Sequence, residues 1–372
     1  MNRTLCAILI LVFAGCFCPS YAQVGEENDL QSIIEEFRRR IENDVADDNV
    51  KGSISVAITK GDQIIWSGAY GAADFNSNIE SDSTTIYRTG SITKSFTAFL
   101  MMQLVEDGTI KLNDPIEQYL PEIKGLIGYS NTAKINFQHL ASHTSGLIRE
   151  PKLDNAATGP IENWETKILQ SIPKTSFKSK PGEQFGYSNI GYGILGLAIS
   201  RAANKSFIEL VKERIFNPLH MTNSFFIVPE SRTDDLAKGM NLSPYGTINP
   251  DSELEHRGRG YKVPNGGIYS TPNDLAKFIA SNLGYTGILQ KNNLTIMHSK
   301  QTPEGNYGLG FFLYSDSTIK TVGHGGGVVG YTCHLVFEKE SQYGVILMRN
   351  YNRGKTQLNA ASHDLIRKLK KR

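Results

Sequence analysis

Apolar positions recur along this chain with two different periods, and the changes between them lay out its elements. Leu30, Ile33, Ile34, Phe37 and Ile41 fall on one face at helical spacing, which predicts an amphipathic helix over residues 29–44. Residues 53–58 and 63–69 are short runs rich in β-branched side chains, and Lys60-Gly-Asp62 between them signals a hairpin. Beyond Gly90, the residues Ile92, Phe96, Phe99, Leu100 and Leu104 predict a long amphipathic helix that Gly108 stops. From about 112 to 264 helix and loop signals mix, with Pro and Gly scattered among them. Strand signals return at 309–314, 319–322, 331–337 and 343–348, and a helix rich in Leu, Ile and Lys closes the chain from about Thr356.

Strands at both ends with helices between them predict an α/β (α+β) fold. One antiparallel sheet is built from both termini and flanked by helices, with a mostly helical lobe inserted. The expected division is an α/β lobe from 23–111 and 265–372 and a helical lobe from 112–264, the cleft between them being the default site. There is no internal repeat and no low-complexity tract.

The first residues are expected to be a leader rather than fold. Asn2-Arg3 starts it with a positive charge, Leu5 through Cys18 is nearly all apolar, and Ser20-Tyr21-Ala22 offers small residues where a signal peptidase reads. Residues 1–22 are thus read as a signal peptide, which makes the protein exported, either periplasmic or secreted. Lipid anchoring at Cys16, within Phe13-Ala-Gly-Cys16, is the alternative. No other apolar run is long enough to span a bilayer as a helix.

Composition narrows the function classes. The formal charge of +2 falls further when the leader removes Arg3, and so nearly neutral a chain carries no electrostatic argument for nucleic acid. Of the four cysteines, Cys6, Cys16 and Cys18 lie in the leader, so the mature chain keeps Cys333 and no internal disulfide. Cys333 sits in an apolar run and reads as a small buried side chain.

Candidate chemistry begins at Gly90-Ser-Ile-Thr-Lys94. A serine hydroxyl is a poor nucleophile until a neighbour takes its proton, and a lysine three positions on along a helix lies on the same face. A serine at a helix start also gains N–H groups and a positive dipole end that favour developing negative charge. The spacing recurs at Ser171-Ile-Pro-Lys174 and Ser317-Thr-Ile-Lys320. Pro173 works against a helix interior in the first, and the second falls in an expected strand whose side chains would point to opposite faces. Only Ser91 opens a long helix.

Two further segments add partners. Tyr187-Ser-Asn189 follows a turn and precedes a helical pattern, whereas the identical Tyr129-Ser-Asn131 lies among loop-like residues. A phenol near a lysine ammonium ionises more readily than a free one and can serve as a base, while an asparagine beside it can orient the lysine and bind a substrate amide. In Gly323-His-Gly-Gly-Gly327, four glycines around one histidine at a strand start let backbone approach a ligand closely, as an N–H donor to an oxyanion must. Read alone, either segment is as well explained by a surface turn or a flexible hairpin.

Taken in order, these segments resemble the serine β-lactamase-like superfamily. The branch is that of class C β-lactamases, D-alanyl-D-alanine carboxypeptidases, D-amino-acid peptidases and related esterases. The resemblance runs from about Ser53 to Asn350 and rests on five segments. They are Tyr87-Arg-Thr-Gly-Ser-Ile-Thr-Lys94, His139-Leu-Ala-Ser-His-Thr-Ser-Gly-Leu147, Phe185-Gly-Tyr-Ser-Asn-Ile-Gly-Tyr-Gly-Ile-Leu-Gly196, Asn265-Gly-Gly-Ile-Tyr-Ser-Thr-Pro-Asn-Asp-Leu275 and His324-Gly-Gly-Gly-Val-Val-Gly-Tyr331. What it implies is that Ser91 is acylated while Lys94 and Tyr187 move its proton, which of the two takes it first being left open. Asn189 would help position Lys94 and the substrate. The N–H groups of Ser91 and Gly327 would form an oxyanion hole beside Gly326, and water would release the acyl group with Tyr187 as base. His143 and Ser145 read as architecture. No cofactor and no metal are implied: five of the remaining histidines (His139, His220, His256, His298 and His363) stand singly without ligand spacing, and His334, next to Cys333 in an expected strand, is given no role.

One departure bears on substrate. Many relatives carry Lys-Thr-Gly or Lys-Ser-Gly where this chain has His324-Gly-Gly326, and their lysine offers a fixed charge to a substrate carboxylate. A histidine is charged only part of the time near neutral pH, so Arg349 is the expected compensating cation. Four readings follow, in order of expectation. A hydrolase of esters, small amides or D-amino-acid peptides comes first. Next come a penicillin-binding carboxypeptidase acting on peptidoglycan, then a β-lactamase, and last a non-catalytic binding protein.

Overall fold

The computed structural model describes residues 21–48, 50–74, 76–77, 79–242, 248–249 and 259–371. All of the expected leader except its last two positions lies outside the described residues, as does His256. The first helix, α1 (Tyr21–Asp47), is longer at both ends than its apolar stripe alone predicts. Its buried face is Ile34, Phe37, Ile41 and Val45, and Leu30 and Ile33 pack at the margin.

The strands are β1 (Ser53–Lys60), β2 (Gln63–Asp74), β3 (Ile79–Glu80), β4 (Tyr87–Arg88), β5 (Asn241–Leu242), β6 (Ile248–Asn249), β7 (Tyr269–Ser270), β8 (Phe312–Ser315), β9 (Lys320–Val328), β10 (Tyr331–Glu338) and β11 (Tyr343–Arg349). Seven of them form one sheet in the order β3-β2-β1-β11-β10-β9-β8, and all its pairings are antiparallel. The pairing of β1 with β11, Val56 opposite Leu347, joins the hairpin of the first third to the meander of the last. This is the sheet from both termini that the strand signals predict. Gly61 makes the β1–β2 turn with φ +61, a conformation that disfavours a Cβ.

Helices cover both faces. On one, α1 and the closing helix α10 (Leu358–Lys370) bury Ile54, Val56, Ile58, Val345 and Leu347. On the other, Ala57, Leu335, Phe337, Ile346 and Met348 meet α2 (Thr93–Glu106) and α8 (Pro272–Asn282). Between and beyond these lie α3 (Phe137–Ala141), α4 (Trp164–Ser171), α5 (Asn189–Ala202), α6 (Phe207–Val211), α7 (Val263–Gly266) and α9 (Lys291–Met297). The core side chains on this face include a stacked pair, Phe96 and Phe278, with ring centroids 3.8 Å apart.

Three sequence expectations need correction. Helix α2 is not amphipathic: every residue from Thr93 to Leu104 is buried, because α5, α6, α7 and α9 pack around it. The glycine run 323–327 is not a hairpin or a strand start but the interior of β9, and the reversal comes later at Gly330, φ +80. Ser317 lies in the turn between β8 and β9 rather than in a strand, with Asp316 accepting from the N–H groups of Thr318 and Ile319.

Candidate active site

Ser91 stands in a single 3-10 turn, Gly90–Ile92, that runs straight into α2. Gly90 has φ +52, which lets the chain leave β4 and enter the helix within one residue. The space where its side chain would be is filled by β9: a Cβ there would lie 2.9 Å from the Gly327 nitrogen. Gly326 is packed as tightly, since a Cβ on it would fall 1.9 Å from the Thr89 carbonyl oxygen and 2.6 Å from Cys333 Sγ. The helix start carrying Ser91 and the backbone of Gly326 and Gly327 are therefore side by side, while Gly327 itself remains exposed. Cys333 is buried beneath them, its thiol donating to the Thr89 carbonyl oxygen, and burial pushes its pKa up.

One helical turn after the half-buried Ser91, Lys94 is fully buried. Its Nζ lies 3.1 Å from Ser91 Oγ and donates to the backbone carbonyl of Asn265 at 2.9 Å. Burial holds its pKa well below the ordinary lysine value, and Arg149, Lys262 and Arg259 push the same way against the single opposing charge of Glu150.

Tyr187 stands close enough to Ser91 for the serine hydroxyl to act on its pKa, and Lys94 Nζ lies 4.9 Å from its ring centroid. Sequence reasoning expects the lysine to ease ionisation of the phenol. The structure reverses that: burial pushes Tyr187 up to about 12, outweighing the Ser91 hydroxyl and the charge of Arg149. The reason is that desolvation of the phenol itself outweighs what neighbouring groups give back. His143 stacks on Tyr187 with centroids 4.1 Å apart, and its Nδ1 accepts from the Ser188 N–H. Neither His143 nor the buried Ser145 hydrogen-bonds Ser91 or Lys94. Tyr129, of the duplicate tripeptide, bonds Glu117 instead.

Asn189 opens α5 behind the cap supplied by Ser188 Oγ. It does not hold Lys94. Its amide donates to Glu150 at 2.6 Å, and its Oδ1 is buried without a partner. The acceptor for Lys94 is Asn265, whose own side-chain amide donates to the Asn189 carbonyl at 3.0 Å. Sequence reasoning missed this role because a backbone carbonyl has no side-chain signature.

His324 also departs from expectation. It is 2% exposed, and burial lowers its pKa to about 3, so the ring is neutral. Its Nδ1 faces the Gly325 carbonyl at 2.6 Å and must donate, which leaves Nε2 to accept from the Tyr307 hydroxyl at 3.2 Å. Arg349 does not compensate. It stands opposite Ile54 and Thr332 and donates to the carbonyls of Tyr351 and Thr356, so its side chain lies on the α1–α10 face of the sheet. The cation that does reach the cleft is Arg149, two residues after the His143-Thr-Ser-Gly-Leu147 turn, with its guanidinium 4.9 Å from the Tyr187 ring centroid. An exposed Arg-Glu pair closing an apolar turn was its only sequence signal. Among the described residues, no three His, Cys, Asp or Glu side chains are grouped to hold a metal ion, and no helix is long and apolar enough to cross a membrane.

A family model described as Beta-lactamase matches residues 37–367. The chain is 33% identical over 300 residues to Beta-lactamase-like protein 2 of Dictyostelium discoideum, covering 75% of this chain and 52% of that one. It is 25% identical over 330 residues to Protein flp of Staphylococcus aureus (strain N315), covering 87% of this chain and 64% of the relative. The chain thus spans between about half and two-thirds of the length of these relatives. Among solved structures, an octameric penicillin-binding protein homologue from Pyrococcus abyssi matches with a TM-score of 0.76 at 26% identity, over 90% of this chain and 76% of that one.

Proposed function

The chain belongs to the Beta-lactamase family, and from that premise we propose an exported serine hydrolase that acts through a Ser91 acyl-enzyme. Its substrates on this reading are esters, small amides or D-amino-acid peptides. The observation that carries it is a buried lysine, held short of its charge, with Nζ 3.1 Å from a reachable serine hydroxyl.

Uncharged Lys94 keeps one N–H for the Asn265 carbonyl and presents its lone pair to Ser91 Oγ. The Ser91 proton passes to Nζ as Oγ bonds the acyl carbon. The carbonyl oxygen, now negative, lies where the N–H groups of Ser91 and Gly327 converge. When the tetrahedral species collapses, the bond to the leaving group breaks. Tyr187, a neutral phenol beside Ser91, hands its proton to the leaving atom and is reprotonated from Lys94. Water then attacks the ester carbonyl, giving its proton to the same pair; the bond from the acyl carbon to Oγ breaks, the pair returns that proton to Ser91 Oγ, and the acid is released.

A neutral His324 removes the fixed charge that a lysine would offer a β-lactam carboxylate, which favours esters over β-lactams. The Pyrococcus relative is titled a penicillin-binding protein homologue, so penicillin acylation of Ser91 belongs in the same test. A fluorophosphonate probe and a fluorescent penicillin are applied to wild type and Ser91→Ala, beside a panel of p-nitrophenyl butyrate, a D-Ala-D-Ala peptide and nitrocefin. Labelling of wild type alone with ester turnover is expected. Equal labelling of both proteins sinks Ser91 as nucleophile, and nitrocefin turnover without ester turnover replaces this reading with a β-lactamase. Export is tested by sequencing the N-terminus of protein recovered outside the cytoplasm, where Gln23 should come first.

A further inference from the structure

We propose that Arg149 selects substrates that carry a carboxylate close to the scissile bond. The inference rests on the hydrolase reading above and names its substrate class. Four basic side chains stand near enough to matter, and three are spoken for. Lys94 is buried and bonded to Asn265. Arg259 is buried. Lys262 lies 3.6 Å from Glu150 with a quarter of its side chain exposed.

Arg149 differs from all of these. Its side chain is 61% exposed, and the nearest carboxylate oxygen among the described residues, on Glu150, is 3.9 Å away, beyond hydrogen-bond distance. Glu150 is already engaged by the Asn189 amide at 2.6 Å and by Lys262. No hydrogen bond from the Arg149 guanidinium is made among the described residues. Its backbone, in contrast, is fixed: the Arg149 carbonyl accepts from the N–H groups of Asn189 and Ile190 at the start of α5. That anchors the residue beside Tyr187 and sets the guanidinium against the ring that stands next to Ser91.

A planar fork of donors, open to solvent and one ring from the nucleophile, suits bidentate recognition of a carboxylate. Three cations against one carboxylate act on Lys94, so the field at the site also favours an anion. Phe312, partly exposed and parallel to Tyr187 with centroids 6.3 Å apart, supplies an apolar wall for the stem that would carry it.

The test compares kcat/KM for two matched ester pairs in wild type, Arg149→Ala, Arg149→Lys and Arg149→Glu. One pair is p-nitrophenyl hexanoate and the p-nitrophenyl monoester of adipic acid, which differ on the acyl side. The other is the p-nitrophenyl and 3-carboxy-4-nitrophenyl butyrates, which differ on the leaving side. In at least one pair the anionic-to-neutral ratio should fall about 10-fold or more in Arg149→Ala. It should fall further in Arg149→Glu and recover in part in Arg149→Lys. Ratios that move less than about twofold in both pairs overturn the proposal. The uncharged fluorophosphonate separates the two failures. Ser91 labelling and neutral-ester turnover with flat ratios remove only the role of Arg149, whereas wild type that neither labels nor turns over any ester removes the hydrolase reading and this inference with it.

Discussion

Lys94 Nζ donates to the backbone carbonyl of Asn265 at 2.9 Å, a contact between residues 171 positions apart. The Asn265 side chain in turn donates to the carbonyl of Asn189. Three distant segments thereby hold one amine in place beside Ser91 and away from water. Its lowered pKa is a consequence of that enclosure, and the behaviour of the site with pH and mutation follows from it.

The pH profile should report Lys94 first. Its uncharged form is the base, so kcat/KM on a neutral ester should rise with pH along one limb whose midpoint lies well below the ordinary lysine value. Tyr187, pushed up to about 12, should add no second limb across the working range. Arg149 lowers and Glu150 raises the Lys94 pKa, so Arg149→Gln should shift the midpoint up and Glu150→Gln should shift it down. Shifts of the same sign in both variants would contradict the assignment of the limb to Lys94.

Stability should carry the same signature. Unfolding returns Lys94 to its ordinary pKa. Between that value and the lowered folded one the unfolded chain binds more protons, and stability rises with pH. Lys94→Met removes that slope. Turnover should fall about 10²–10⁴-fold, while at pH 6 the variant should be more stable than wild type by about 1–3 kcal/mol. Urea unfolding at pH 6 and pH 9 measures the difference, which should shrink at the higher pH.

Adjacent glycines of β9 should respond differently to a methyl group. Gly326→Ala drives a Cβ into the Thr89 carbonyl and Cys333, and should cost about 1–3 kcal/mol or more along with activity. At Gly327 a Cβ meets nothing within 4 Å. Gly327→Ala should keep stability within about 0.5 kcal/mol of wild type and retain the N–H that the proposed oxyanion contact uses. Thermal melts and p-nitrophenyl butyrate turnover check both.

His324 should not titrate between pH 5 and pH 9, because burial lowers its pKa to about 3. Its ring carbon and proton NMR shifts should stay flat over that range. Restoring the relatives' lysine by His324→Lys should fail to restore a charge cheaply. It removes the acceptor for Tyr307 and buries an amine, at a cost of about 2–4 kcal/mol by chemical denaturation.

Much of the site was readable from local pattern. The apolar stripe after Gly90 marked a helix, and three residues along a helix return to the same face, so Ser91 and Lys94 had to be neighbours. The alternating, β-branched runs at both ends marked strands. Their joining into one antiparallel sheet followed from the need to bury both runs behind helices. Position within an element was less legible. The run 323–327 looked like a turn because glycines usually mark one, yet it is strand, kept free of side chains so that Gly326 can lie against Thr89.

The sequence by itself determined which groups are present and which lie one helical turn or one strand apart. Ser91 with Lys94, Tyr187 next to a helix start, and a glycine-rich strand are of that kind. Only the tertiary structure decided their charges and their partners. It lowered the pKa of Lys94, left His324 without charge, kept Tyr187 protonated, turned Arg349 to the far face of the sheet and brought Arg149 to the cleft. The reason is physical: connectivity sets local spacing, whereas desolvation depends on how much of the rest of the chain folds over a group, and no single segment contains that information.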